Sequence, residues 1–420
     1  MRVAVLTADT RGGVEPYVAL AVGLRAAGHD VVAVAPGNQT RAFADHGLAV
    51  TGLSGDFEAA VRADSGVAER GTLATVRLML REVPRRIRGW TAETREACRD
   101  AELVLGGIGG MVVGHSVAEA MGVPFVQAHL QPVGVPTDRY PGVLAPHPPA
   151  WAGRRGVLLS HALSDRGIWM QFRTAMRRAR RDVLGLSGPM DLAPRHPVLF
   201  GFSRHVVPVP QGPSDPASVV TGYWRLGPDP ARSPPAGLAE FLARPGPAFS
   251  IGFGSMPSAD AEGLRAVLER ALERIDARAV LVGGAPDLRP GNAGRVHAVA
   301  SVPHDWLFPR VDGVVHHGGA GTTGAAIAAG RPSLVVPFAV DQPFWGRRVH
   351  ELGAGPRPIP RRALTADALA AGLVSLATDG AQRERAAALG ALVSAERGVE
   401  RAVVHVESMR QTAARAVASP

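Results

Sequence analysis

Two spacings of apolar residues alternate along this chain. Short unbroken runs of aliphatic residues at 3–7, 31–35, 103–106 and 124–128 read as strands buried on both faces. Between them, 18–27, 73–98 and 113–121 place apolar residues at helical spacing. Strand and helix in alternation predict a parallel sheet wrapped by helices. Residues 206–235 are dense in Pro, Gly, Ser and Asp and read as a linker. The rhythm then restarts, with strands expected at 249–253, 279–282, 313–316 and 333–337. Helices are expected at about 261–275, 322–329, 343–352, 366–377 and 381–409. The pattern predicts an α/β protein of two Rossmann-like domains facing a cleft. The expected divisions are an N-terminal domain at 1–205, a linker at 206–235 and a C-terminal domain at 236–395. A last helix at 396–420 is expected to cross back to the first domain.

Length and composition agree with this division. A chain of 420 residues with 46% hydrophobic positions exceeds what one core usually serves. No apolar run reaches the roughly 18 residues a membrane span needs, and Asp9 interrupts the short apolar start. The single cysteine, Cys98, suits a reducing compartment and an inert helix-face role, so a cytoplasmic setting is expected. The net charge of +9 raises the question of nucleic acid, and all the basic residues are arginine. The densest group, Arg173, Arg177, Arg178, Arg180 and Arg181, faces away from the helical stripe Ile168, Phe172, Ala175, Ala179 and Val183. That patterning reads as a solvated helix face, with peripheral contact to an anionic membrane as the runner-up. Aromatics interleaved with the arginines are scarce, so no nucleic-acid partner is expected. A monomer or homodimer is expected.

The most informative run is Val314-Val315-His316-His317-Gly318-Gly319-Ala320-Gly321-Thr322-Thr323. A strand ends, a histidine sits at its lip, and glycines lead into a helix. Bare amides and the positive end of a helix dipole then point at an anion, which is how phosphate is held. The spacing of Gly319, Gly321 and Gly324 also matches a dinucleotide fingerprint, but that match is weak alone. The paired histidines, and a motif third in its domain's strand order, argue against a nicotinamide cofactor. Glycines that merely close a tight turn would leave the histidines and threonines unexplained.

Other turns follow strands of the same half. Gly252-Phe253-Gly254-Ser255-Met256 offers a second anion-facing turn with a hydroxyl at Ser255. Val302-Pro303-His304-Asp305-Trp306 sets a rigid kink beside an aromatic, suited to a flat base. Trp306 also precedes Leu307-Phe308, which favours a core role for its side chain. Asp341 and Gln342 together can grip adjacent hydroxyls, although Asp341 before Pro343 also suits a helix N-cap. Base, phosphates and sugar hydroxyls are all provided for at strand carboxyl ends. The expected ligand is a nucleotide sugar.

These motifs, in this order from about 252 to 360, resemble the donor-binding half of the GT-B family 1 glycosyltransferases. The similarity is to bacterial enzymes acting on natural-product aglycones and to sterol glucosyltransferases. His316 to Thr323, Val336-Pro337-Phe338 and Asp341 to Trp345 carry it, with Gly252 to Met256 and Val302 to Phe308. Looser likeness in the first half runs through Thr10-Arg11-Gly12 with Glu15-Pro16, Gln131-Pro132 with Pro136-Thr137, and Thr221-Gly222-Tyr223-Trp224. The resemblance implies inverting, metal-independent transfer from a UDP- or dTDP-sugar to a hydrophobic small-molecule acceptor, with no further cofactor. No Asp-x-Asp pair is present to hold a divalent ion. It implies donor binding by Arg11, Gly12, Ser255, Val302, Pro303, His317, Gly318, Gly319, Ala320, Gly321, Thr322, Asp341 and Gln342.

One departure stands out. Relatives read Arg-Gly-Asp-Val after the first strand, with that aspartate as general base, whereas this chain reads Arg11-Gly12-Gly13-Val14. Asp9 in the same loop, Asp341 across the expected cleft, or an acceptor needing no base would each answer it. Glu15 is a weaker replacement. A non-catalytic auxiliary that binds aglycone or nucleotide is the rival of another class, and a sugar-nucleotide epimerase a third reading. The long Pro-rich passage 131–149, expected to line or cover a site, does not suit the epimerase.

Overall fold

The computed structural model describes the chain except for residues 10, 56–58, 60–62, 64–65, 68, 135, 146–147, 171, 189–196, 210–217, 228–233, 255–259, 284–293 and 419–420. For residues 11, 150, 168–169 and 410–418 the backbone alone is described. Two compact bodies result. One comprises Met1–Phe57, Met79–Leu226 and Glu396–Pro420, the other Glu58–Leu78 and Gly227–Ala395.

The first body is built on seven strands: β1 (Arg2–Leu6), β2 (Asp30–Pro36), β3 (Ala49–Leu53), β4 (Leu103–Gly106), β5 (Phe125–His129), β6 (Val198–Phe200) and β7 (Ser218–Val220). They pair in parallel in the order β3-β2-β1-β4-β5-β6-β7. The central strands are buried almost throughout, because helices cover both faces of a parallel sheet. β3, β6 and β7 were not expected. β3 and β7 are half-exposed edges with weaker apolar runs, and β6 has only three residues.

β7 also corrects the expected linker at 206–235. Val206 and Val207 are fully buried, and Thr221 and Trp224 are sealed in the first body. The Trp224 indole N–H donates to the Thr221 hydroxyl at 2.9 Å, and its ring meets Tyr17 edge-on at 5.9 Å. The chain therefore leaves the first body only after Leu226.

The expected helix at 381–409 is two helices, Gly380–Ala395 and Gly398–Ala418, broken at Glu396-Arg397. The second returns to the first body, burying Ala402 and Val406 fully. Gly23 in helix Arg11–Ala26 lets it approach, since a Cβ at residue 23 would collide with Val399.

One surface expectation also changes. Arg180 is not on the solvated face of helix Arg173–Leu184. It is buried, forks onto the Glu119 carboxylate at 2.7 and 2.9 Å, and donates to the Ser116 hydroxyl at 3.0 Å. Phe172 and Ala179 are buried as the stripe required, while the Ile168 side chain lies outside the described residues. Within the passage 131–149, residues 140–144 are held by helix Gly153–Met170. Ser160 accepts from the Gly142 N–H at 2.8 Å, Ser164 accepts from the Leu144 N–H at 3.2 Å, and His161 Nε2 lies 2.9 Å from the Tyr140 carbonyl.

The second body is smaller. β8 (Ala248–Gly252), β9 (Arg278–Val282), β10 (Val296–Val299), β11 (Gly313–His316) and β12 (Ser333–Val335) form a parallel sheet in the order β10-β9-β8-β11-β12. Chain order reverses between β8 and β11, which pair directly from Gly313 opposite Phe249 to His316 opposite Gly252. The carboxyl ends at such a reversal splay apart and leave room for a ligand.

Candidate functional site

At the ends of β8 and β11 two glycine turns meet. Gly254 has φ +64°, and a Cβ there would press the His317 ring at 2.9 Å. Gly318 has φ +92°, and a Cβ would lie 2.8 Å from Val335 Cγ1 and 2.9 Å from the Gln342 carbonyl oxygen. Only glycine fits at Gly318 without moving its neighbours. The Gly318 N–H donates to His316 Nδ1 at 3.1 Å, so that amide is engaged within the turn. The same bond leaves the His316 proton on Nε2. His316 is buried, and burial chiefly, with the neighbouring histidines His317 and His304, pushes its pKa down to about 3.

Helix Ala320–Ala328 starts from Gly319, and no side chain caps it. Its first-turn amides at Ala320, Gly321 and Thr322 have no intrahelical acceptor. The Thr323 hydroxyl is buried and donates back to the Gly319 carbonyl at 2.9 Å. Of the two threonine hydroxyls, only that of half-buried Thr322 remains for a ligand. His317 is half-buried beside this helix start. Burial first, then the charge of His304, pushes its pKa down to about 4. Its Nδ1 is a buried polar atom without a hydrogen-bond partner among the described residues. A neutral imidazole, uncapped amides and a hydroxyl thus converge, and together they suit an anion.

The turn at Val302 to Trp306 is mixed. Val302 is buried and Pro303 caps the short helix His304–Leu307. Trp306 packs partly on the apolar cluster of Leu307 and Phe308, with the Arg310 guanidinium 4.5 Å over its ring. Its side chain is therefore partly core, as its sequence context suggested.

The loop before helix Gln342–Glu351 is the most constrained backbone of this body. Val340 has φ +61°, a region β-branched residues avoid. Gln342 Oε1 holds the loop by accepting from the Phe338 and Ala339 amides at 2.8 and 3.2 Å. The Thr72 hydroxyl accepts from the Val340 N–H at 3.1 Å, and Glu69 pairs with Arg361 at 3.1 Å. Asp341 occupies the N-cap position, but its side chain makes no capping bond. Its Oδ2 accepts from the Trp345 indole N–H at 3.0 Å. This corrects the expected cap. Gln342, too, holds the loop with the oxygen expected to grip a ligand. Thr72 and Glu69 carried no signal in the sequence, because their partners lie more than 250 residues away.

In the first body, Asp9 follows β1 at the start of helix Arg11–Ala26. The Thr7 hydroxyl donates to Asp9 Oδ2 at 3.0 Å. A Cβ built on Gly13 would lie 2.6 Å from Asp9 Cβ and 3.1 Å from its Cγ. The Asp9 carboxyl thus occupies the space a side chain at residue 13 would need. Tyr17, one turn on, donates to the Ala128 carbonyl at 2.7 Å, and burial, then the charge of Asp9, raises its pKa well above the usual phenol. Nothing lies within 4 Å of a Cβ on Gly12. The Arg11 side chain and Ser255 lie outside the described residues. The structure brings together Gly254, His317, Gly318 and Gln342, while Asp9 belongs to the other body.

Paired Rossmann-like bodies with a bare glycine turn at the second sheet's reversal define a class, and comparison with known proteins agrees. The chain belongs to the GT-B family 1 glycosyltransferases. Residues 267–407 match the family described as erythromycin biosynthesis protein CIII-like, C-terminal domain. The chain is 33% identical over 430 residues to the O-mycaminosyltylonolide 6-deoxyallosyltransferase of Streptomyces fradiae, with 98% of each covered. It is 32% identical over 439 residues to a sterol 3-beta-glucosyltransferase of Cryptococcus neoformans, covering 96% of this chain and 27% of that protein. The chain therefore spans only about a quarter of the length of such sterol enzymes. In fold it matches the glycosyltransferase VinC solved with dTDP, at a TM-score of 0.68 and 21% identity over 98% of this chain and 100% of that one. The glycotransferase of kitacinnamycin matches at the same score and identity, over 97% and 98%.

Proposed function

We propose that this protein transfers a sugar, with inversion, from a UDP- or dTDP-sugar to a hydrophobic small-molecule acceptor. The observation that carries the reading is the His317 turn, where an imidazole nitrogen with no hydrogen-bond partner among the described residues adjoins an uncapped helix start at the strand-order reversal. The diphosphate would lie against His317, the amides of Gly319, Ala320 and Gly321, and the Thr322 hydroxyl. Those donors stabilise the negative charge that grows on the leaving diphosphate, the role a metal ion fills in other transferases. The base would lie along Val302-Pro303. Asp341 would take a sugar hydroxyl through its carboxylate, next to the loop that Gln342 holds.

Asp9 is the proposed general base. Its carboxyl fills the space in front of Gly13, so the same function would be supplied from four residues earlier. Asp9 takes the proton of the acceptor hydroxyl while the acceptor oxygen forms its bond to the anomeric carbon. The bond from that carbon to the diphosphate oxygen breaks, and the nucleoside diphosphate departs with the electron pair. The relatives' acceptors, a sterol and O-mycaminosyltylonolide by their names, support a lipophilic acceptor.

Incubation with a panel of UDP- and dTDP-sugars and lipophilic alcohols, in the presence of chelator, tests this reading. The expected product from an α-linked donor is a β-glycoside. A retained anomeric configuration, or activity that vanishes on chelation, would refute the inverting, metal-independent reading.

A further inference from the structure

Helix Gly153–Met170 is inside out. Its buried face is polar: Ser160, His161 and Ser164 hold the backbone of residues 140–144. Several of its apolar side chains face solvent. Trp151, just before it, is 87% exposed, Leu159 and Leu163 are each 59% exposed, and Met170 is 70% exposed. Leu159, Leu163 and Met170, spaced by four and seven residues, fall on one side of an α-helix about 27 Å long. Arg155 and Arg166 share that side, both exposed. The one acid of the helix, Asp165, is turned inward, with the Gly134 N–H 3.4 Å from its carboxylate. The following helix exposes Arg173, Arg177 and Arg178.

We infer that this helix docks the protein on an anionic lipid surface, with Trp151, Leu159, Leu163 and Met170 entering the interface and Arg155 and Arg166 meeting lipid phosphates. Charge complementarity selects this occupant. A second copy docking on the same face would set these arginines against each other, and a dry protein interface would leave them unpaired. A lipid interface accepts both, since arginine stems lie along the acyl boundary while their heads reach phosphate. Tryptophan favours that depth. The arginine group singled out in the sequence then lies on the next helix and adds to the attraction, rather than forming the contact itself.

Co-sedimentation of the full chain with phosphatidylcholine vesicles, with and without phosphatidylglycerol, tests the inference. The expected result is binding to the anionic vesicles, weaker binding to the neutral ones, and release by salt. The variant Trp151→Ser/Leu159→Ser/Leu163→Ser should bind anionic vesicles about tenfold or more weakly. Its thermal melting should be unchanged, because the replaced side chains are exposed. If that variant fails to fold, Arg155→Glu/Arg166→Glu decides the matter: it should lose anionic binding and keep any neutral binding. Absence of binding to anionic vesicles at low salt, or undiminished binding by the variants, overturns the inference. So does a change of oligomeric state in the apolar variant without lipid, which would make this face a contact between copies.

Discussion

The catalytic proposal turns on one exchange, an aspartate at residue 9 against a glycine at residue 13. Asp9→Asn keeps the shape and the Thr7 contact but removes the proton acceptor. It should cut turnover by about a hundredfold or more while leaving nucleoside diphosphate binding unchanged. The structure alters what Gly13→Asp should do. With a Cβ only 2.6 Å from that of Asp9, the new side chain displaces the carboxylate already present and repels it, so turnover should fall. Asp9→Gly/Gly13→Asp relieves the clash and returns one carboxylate to that space, and should recover activity relative to Asp9→Asn. Rates for the three variants at several pH values check this. Wild-type rates in Asp9→Asn would remove Asp9 from the mechanism.

Among the elements, the loop from Phe338 to Gln342 joins the proposed donor site to the fold. Because the Asp341 side chain does not cap its helix, Asp341→Asn should change the melting temperature little. It should lower sugar-nucleotide turnover far more than affinity for the bare diphosphate, as titration beside kinetics will show. Equal losses for both ligands would instead assign Asp341 a structural role through Trp345. This is also the scale at which the sequence was most and least legible. Strands with continuous aliphatic runs, such as β4 and β11, were readable to the residue, because burial on both faces leaves an unbroken pattern. β3, β6, β7 and β10 were not, being short, edge-lying or polar on one face. The glycine turn and its histidine were readable because a bare backbone turn between strand and helix is written as consecutive residues. The division of labour inside it was not. That Thr323 binds its own helix, that Gly318 donates to His316 and that Gln342 holds a strained Val340 depend on side-chain geometry, which spacing does not encode.

For the whole molecule, the last helix is a part of the first body. Removing residues 396–420 would expose the surface now covered by Ala402, Val403 and Val406. At roughly 1.5–3 kcal/mol for a fully buried aliphatic side chain, the loss should be several kcal/mol and should lower the melting temperature of the first body. Calorimetry of the truncated chain showing an unchanged first transition would contradict this. Acid stability follows from three imidazoles whose pKa is pushed down in the fold. His316 is pushed down to about 3, and His129 and His317 to about 4, burial being the main cause for each. An unfolded chain takes up these protons near the ordinary histidine pKa of about 6.5, whereas the native protein does not until far lower pH. Stability from these groups is therefore complete above about pH 6.5 and is lost as pH falls towards 4. The slope is at most about 1.4 kcal/mol per pH unit for each histidine. Denaturant melts across that range measure it, and a flat profile would mean that the histidines stay accessible in the native state.

The most direct measurement is calorimetric titration of UDP and dTDP into the wild type and His317→Ala, with chelator present. The wild type should bind at least one of these diphosphates without metal. His317→Ala should weaken that binding and lower sugar-transfer turnover by about tenfold or more, as loss of one preorganised donor to the leaving group requires. Equal affinity and turnover in the two proteins would place the diphosphate elsewhere and remove the basis of the proposed reaction.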